Sequence, residues 1–448
     1  MNDVVVKNIS QTKIDIQVEN TSTFSLAAQQ NAYPVLKSIR ISFPKDDEQE
    51  LTSFNSLTVK LKAINGWVEE EIWYIDRLEP GQSISLKIKE LRFPFEKLFG
   101  ITEEVSHDLS FIVLDEGQKI LAEKHKKIHV LPANYWGGEE RQPALLAAFV
   151  KPNGLYVESL IRQVAIVLEQ GGFGRSVDGY QSNTREKPYV MLAALWNVVF
   201  KEKLAYVSPP QGFATSGQRI RLAADISHSR MAACLDSSLL FASCIEAMGL
   251  NPVVAVTKGH AFAGAWLIDE KLPILTNDDP QDIRKRIDNR DLVLFETTLV
   301  TNDSLVTFEQ AKDHARDLLS EEKETDFVMV IDIAQARAQS IKPMSTVEEK
   351  KEESTSLEGA DELDLPVIPP LPPVRKDEQI VVETPETRID TWSRKLLDLT
   401  KKNSLLNFSD RAISIKLYCP DIAAMEDMLA DGTKFKFLSA QESPHFDP

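Results

Sequence analysis

Residues 234–267, CLDSSLLFASCIEAMGLNPVVAVTKGHAFAGAWL, decide how this chain is read. The first part is an apolar helical run that opens at Cys234 and stops at Gly249. A strand follows in NPVVAVT (251–257), and His260 begins a second strand, HAFAGAWL. A thiol in the first turn of a helix meets unsatisfied N–H groups and the positive end of the helix dipole, both of which favour a thiolate. An imidazole on a neighbouring strand is placed to take the thiol proton and return it to a leaving group. A third residue has to orient the imidazole. The next strand-like run, RDLVLFETTLV (290–300), carries Glu296 at its polar end, followed by Thr297 and Thr298.

Working outward, residues 156–170 (YVESLIRQVAIVLEQ) and 190–206 (VMLAALWNVVFKEKLAY) have helical spacing. In the first, Leu160, Val164, Val167 and Leu168 fall on one side, and Gly171-Gly172 is the expected stop. PALLAAFV (143–150) reads as helical too. These runs lead into the Cys234 helix and the strands after it, so one α+β domain is expected over 138–338. Upstream, IDIQVEN, KSIRISF, SLTVKLKAI, EEEIWYI, SISLKIKEL and DLSFIVL alternate apolar and polar residues with period two. Turn signals at Asn65-Gly66, Pro80-Gly81 and Glu116-Gly117 separate them. An all-β sandwich of immunoglobulin-like outline is expected over 1–133. Nothing in it carries chemistry, and a bracing or interaction module is the reading it supports.

Residues 339–386 are charged and Pro-rich, with VIPPLPPV (367–374) suited to polyproline II. Such a segment buries too little apolar surface to offset its ordering entropy, and a disordered linker is expected. Residues 387–448 resume a short helical pattern. RIDTWSRKLLDLTKKNSLLNF sets Ile389, Trp392, Leu396 and Leu399 on one face, with Arg394, Lys395, Lys401 and Lys402 among the residues opposite. An ordinary solvated face and a DNA contact both fit that basic stripe, and the solvated face is preferred.

The whole chain has 448 residues, 43% of them hydrophobic, and a net charge of −17. That charge argues against a protein that coats nucleic acid through its whole surface. Three cysteines (Cys234, Cys244 and Cys419) give neither a disulfide framework nor a paired metal knuckle, so no metal and no cofactor is expected. With no signal-like start and no apolar run of membrane-spanning length, the expected place is the cytoplasm, with no membrane partner.

Three segments together resemble the transglutaminase-like cysteine hydrolase superfamily: Cys234-Leu235-Asp236, Gly259-His260-Ala261-Phe262-Ala263-Gly264-Ala265-Trp266, and Phe295-Glu296-Thr297-Thr298. The resemblance implies a papain-like triad of Cys234, His260 and Glu296 on an α+β fold. The family usually has Asp at the third position, so the longer Glu296 must be placed differently. Gly217-Gln218-Arg219-Ile220-Arg221 also looks like the approach to the cysteine in the bacterial branch, with Gln218 a candidate oxyanion donor beside the Cys234 N–H. The bland alternatives are a small buried cysteine, a satisfied core histidine and a surface carboxylate. Cys244 is expected to be buried and inert. His228 is a rival base without strand support, and Asp236 is expected to cap or brace the helix.

The segment from 388 is similar to the opening of an uncharacterised domain that precedes superfamily I helicase modules in large bacterial proteins, some of them anti-phage defence proteins. That resemblance implies a helicase or nuclease partner, or a further C-terminal part. No Gly-x-x-x-x-Gly-Lys-Ser/Thr occurs in this chain, and GGFGRSVDG (171–179) lacks the lysine. Two functions are expected from these residues. One is a cysteine peptidase or amidase acting on a peptide or protein. The other is a catalytically inactive binding or regulatory scaffold for a DNA helicase or nuclease.

Overall fold

A computed structural model describes residues 14–45, 52–63, 66–88, 90–138, 142–208 and 217–345, together with Met425. The chain divides into Met1–Ile380 and Val381–Pro448, and every described residue except Met425 lies in the first unit. Cys419, the basic stripe from Arg394 to Lys402, and residues 346–386 of the expected linker lie outside the described residues. The described part is a mixed α/β structure built on several sheets.

The N-terminal elements are β1 (Asp15–Asn20), β2 (Thr23–Phe24), α1 (Leu26–Gln30), β3 (Leu36–Ser42), β4 (Phe54–Ala63), β5 (Glu71–Leu78), β6 (Ser83–Ser85), α2 (Phe95–Gly100), β7 (Val105–Leu114) and β8 (Ile120–Val130). They form a three-stranded sheet, β1-β3-β6, and a five-stranded sheet, β2-β8-β7-β4-β5. Period-two patterning does its work here. Ile16, Val18, Ile39 and Ile41 from one sheet share a core with Val59, Leu61, Phe111 and Val113 from the other. SISLKIKEL is strand only over Ser83–Ser85. Beyond it the chain is held by Leu86 N–H on Ile39 O at 2.9 Å and by the Trp73 indole N–H on Lys87 O at 2.8 Å. At the turn after β7 the left-handed residue is Gln118 (φ 62°), one position past Gly117.

The chain continues through β9 (Tyr135–Trp136), a buried 3-10 turn at Pro143–Phe149, α3 (Leu155–Gln170), α4 (Glu186–Lys201), β10 (Ala205–Tyr206), β11 (Gln218–Arg219), α5 (Ala223–Ser229) and β12 (Met231–Ala232). PALLAAFV therefore winds tighter than an α-helix. Leu145 to Phe149 are all buried, so the segment has no solvent face to show amphipathic spacing. In α3, Leu160, Val164, Val167 and Leu168 are buried as the spacing predicts, and Gly171 caps the helix.

Next come α6 (Cys234–Ala247), β13 (Pro252–Thr257), β14 (His260–Trp266), β15 (Thr276–Asn277), α7 (Pro280–Asp288), β16 (Leu292–Phe295), α8 (Phe308–Leu318), β17 (Phe327–Asp332) and α9 (Ile333–Ala338). The sheet order is β15-β17-β13-β14-β16, antiparallel at every junction. Both faces are covered. Val254, Val256 and Ala261 point into the core shared with the N-terminal sheets, while Val253, Ala255, Phe262 and Leu294 pack with Ile283 of α7 and Ala315 of α8. Coverage on both sides explains why PVVAVT is an unbroken apolar run with every residue buried. Helix α6 is buried from Cys234 to Ile245, with the sheet on one side and α3 and α4 on another.

Two glycines set the strand that carries His260. Lys258-Gly259 is the two-residue loop between β13 and β14, and Gly259 takes φ +73°, which an L side chain adopts only under strain. Gly264 faces β16 so closely that a Cβ there would lie 2.2 Å from the Val293 carbonyl oxygen and 2.2 Å from Leu294 Cδ2. The backbone oxygen cannot yield without parting the strands. Gly264→Ala is expected to cost about 3 kcal/mol of stability by overpacking, read as a drop in the urea midpoint at unchanged slope.

Residues 339–345, the described start of the expected linker, are packed. Ile341 and Met344 are buried. Gln30 Oε1 accepts the Ser345 N–H at 2.7 Å, and Asn31 Oδ1 accepts the Lys342 N–H at 2.6 Å, so two amide side chains on and just after α1 clasp this strap.

Candidate active site

Helix α6 starts at Cys234 because Asp236 caps it. Ala233 has no side-chain acceptor, and Asp236 Oδ2 reaches back to the Ala233 N–H at 2.9 Å. Asp236 is fully buried. It braces the helix, as its position in the sequence suggests. Ser237 and Ser238 donate to the Cys234 carbonyl at 3.0 and 2.7 Å, and both hydroxyls also meet Thr297 Oγ1, at 3.0 and 3.1 Å. Thr297 is the residue after Glu296. This buried hydroxyl cluster therefore ties the first turn of the cysteine helix to the turn beside the carboxylate.

His260 is the first residue of β14, paired with Thr257 across the hairpin. Its Nε2 lies 2.6 Å from Glu296 Oε2. Glu296, 5% exposed, ends β16 and caps the 3-10 turn Thr297–Thr301. Its other oxygen, Oε1, accepts the Thr298 N–H at 2.9 Å and the Thr298 hydroxyl at 2.7 Å. Thr298 thus folds the longer carboxylate back to the position a shorter Asp would reach directly. Cys234 is within hydrogen-bonding reach of the same imidazole. With Nε2 taken by Glu296, Nδ1 is the ring nitrogen left for the thiol.

The electrostatics follow from these partners. Burial, the largest single influence on His260, pushes its pKa down. Hydrogen bonds and charge interactions with Cys234 and Glu296 outweigh it, and the pKa stands at about 10. For Glu296, burial is again the largest influence and pushes the carboxyl up, but His260 and the Thr298 donors bring it below the ordinary carboxylate range. The proton of this pair belongs on the imidazole, and Glu296 stays ionised.

Gln218 lies on β11, paired with Trp136 of β9. It is 3% exposed, yet neither Nε2 nor Oε1 has a hydrogen-bond partner among the described residues. A buried unpartnered amide costs roughly 1–3 kcal/mol and calls for an explanation. A ligand oxygen that comes and goes would supply one. His228, the rival base, is on exposed α5 with Nδ1 bonded to Ala224 O. Cys244 is fully buried, and burial pushes its thiol far up.

Tyr206 on β10 carried no signal in the sequence. β10 runs parallel to β12, directly before Cys234, and touches the Thr297–Thr301 turn. The ring is 47% exposed, beside a cysteine that is 1% exposed. Its hydroxyl pKa is raised, first by burial and then by the charges of Cys234 and Glu296. Arg221 and Thr298 were also missed as site residues. Both stand in segments quoted for the resemblance, but their partners become apparent only in three dimensions.

Among the described residues no group of three or more His, Cys, Asp or Glu side chains is placed to hold a metal ion, and no helix is long and apolar enough to cross a membrane. Residues 395–447 match a family described as Protein of unknown function (DUF4011). That match lies outside the described residues and away from Cys234. No curated protein and no solved structure matches the chain.

Proposed function

We propose that the region around 138–338 is a transglutaminase-like cysteine hydrolase module that cleaves or transfers a peptide or protein amide. The observation that carries this reading is the single imidazole held between Glu296 at 2.6 Å and the thiol of Cys234. In the reaction the Cys234 sulfur attacks the amide carbonyl, a C–S bond forms, and the carbonyl pair moves onto oxygen. The oxyanion accepts from the Cys234 N–H and from Gln218 Nε2. Collapse expels the amine, which takes the His260 proton, and water or a second amine resolves the acyl-enzyme with His260 as base. The two N-terminal sheets are read as an immunoglobulin-like brace. The C-terminal segment is read as the link to a helicase or nuclease module of a defence protein, working in the cytoplasm.

The test is competitive alkylation of the native protein with iodoacetamide, read by mass spectrometry of the cysteine peptides. Cys234 is expected to react at least tenfold faster than Cys244. Equal slow reaction at both would end the enzyme reading.

The scaffold reading draws on one observation, the burial of Cys234 to 1% exposure. A scaffold would keep partner binding in Cys234→Ala and His260→Ala proteins, and an enzyme that binds through its acyl intermediate would not.

A further inference from the structure

Asp236 does more than cap its own helix. Its Oδ1 accepts the Arg221 N–H at 2.8 Å, and its Oδ2 accepts the Arg221 guanidinium at 3.1 Å as well as the Ala233 N–H. A fully buried carboxylate is stable only when such donors surround it, and two of the three here come from one residue on another segment. Arg221 is the third residue after Gln218 on a chain that β9 holds on its other side, through the Gln218–Trp136 pairing and the Ile220 N–H on Asn134 O at 2.7 Å. Ile220 is buried in the same apolar core as Cys234 and Leu235. The segment carrying the unpartnered Gln218 amide is thus clamped between β9 and the first turn of the nucleophile helix.

We propose that Arg221 and Asp236 are positioning residues that fix the Gln218 amide relative to the Cys234 N–H, so that the two donors converge on one oxygen. This rests on the cysteine hydrolase reading above. One carboxylate serves both halves of the site. It ends the helix that presents the sulfur and anchors the strand that presents the second donor. Three residues of extended chain span roughly 10 Å, so a small rotation at Arg221 is felt at Gln218. Moving a donor by about 1 Å is enough to lose most of its worth to a transition state.

The test separates two reagents. A peptide aldehyde adds to the thiol and leaves an oxyanion that needs both donors. Iodoacetamide alkylates by displacement at carbon and generates no oxyanion. In the full chain, Gln218→Ala and Arg221→Ala are expected to weaken inhibition by an acetyl-dipeptide aldehyde at least tenfold. Alkylation of Cys234 should stay within threefold of the parent rate. Arg221→Lys, which restores a cation beside Asp236, is expected to recover most of the aldehyde affinity. If Arg221→Ala lowers alkylation and aldehyde binding alike, or lowers neither, the clamp has no positioning role. If the parent Cys234 alkylates no faster than Cys244, the hydrolase reading and this inference fall together. Rapid alkylation with aldehyde affinity indifferent to Arg221 overturns the inference alone.

Discussion

His260→Ala is expected to slow alkylation of Cys234 at neutral pH by about two orders of magnitude, the lower end of what a positioned acid–base group contributes. The side chain removed is the group that accepts the thiol proton. Nothing else described near the sulfur replaces it, since His228 sits on exposed α5 with its Nδ1 engaged by Ala224. The pH profile should change as well as the rate. In the variant, alkylation should rise with pH the way an ordinary cysteine's does, whereas the parent keeps its rate while the imidazolium persists, up to the His260 pKa of about 10. Cys244→Ser serves as the control and should leave the rate unchanged, because that thiol is fully buried. Thermal melts of each protein confirm that the comparison is between folded chains. A His260→Ala protein that alkylates at the parent rate with the parent profile would leave Cys234 without a base.

Much of this site was legible from the chain because its parts are local. An apolar run capped by Gly249 is a helix in any context, and Pro252–Thr257 and His260–Trp266 are too short and too β-branched or small to be anything but strands around a tight turn. Glu296 was found by asking which neighbouring strand ends in an acid. What stayed hidden depends on residues far apart in sequence. The Ser237, Ser238 and Thr297 hydroxyls look like ordinary helix and turn polars until they are seen to meet. Arg221 looks like a surface cation until Asp236 is seen to be fully buried beside it. Tyr206 lies in a two-residue strand that no periodicity can detect. The same limit holds in the N-terminal sheets, where SISLKIKEL alternates along its length but pairs as a strand over only three residues.

Glu296→Ala should be the most destabilising single change at the site, because it leaves His260 buried with its charge partner gone. Breaking one side of a buried ion pair costs about 3–5 kcal/mol, and the sign of its pH dependence can be worked out from the two groups. The folded pKa of Glu296 lies below its ordinary 4.5, so its contribution is present above that value and lost as pH falls through the lower, folded one. The folded pKa of His260 lies above its ordinary 6.5, so its contribution is complete below 6.5 and lost as pH rises through about 10. The pair therefore stabilises the fold most between about pH 4.5 and 6.5. Urea unfolding of the parent and Glu296→Ala proteins should show the widest gap at pH 6 and a much narrower one at pH 10. Glu296→Gln should fall between them, since its amide oxygen still accepts from Thr298 but carries no charge for the imidazolium. A gap of constant width from pH 6 to pH 10 would mean that Glu296 acts only as the cap of the Thr297–Thr301 turn. The His260–Glu296 contact would then contribute no charge interaction, and the imidazole would have no reason to hold the proton that Cys234 must give up.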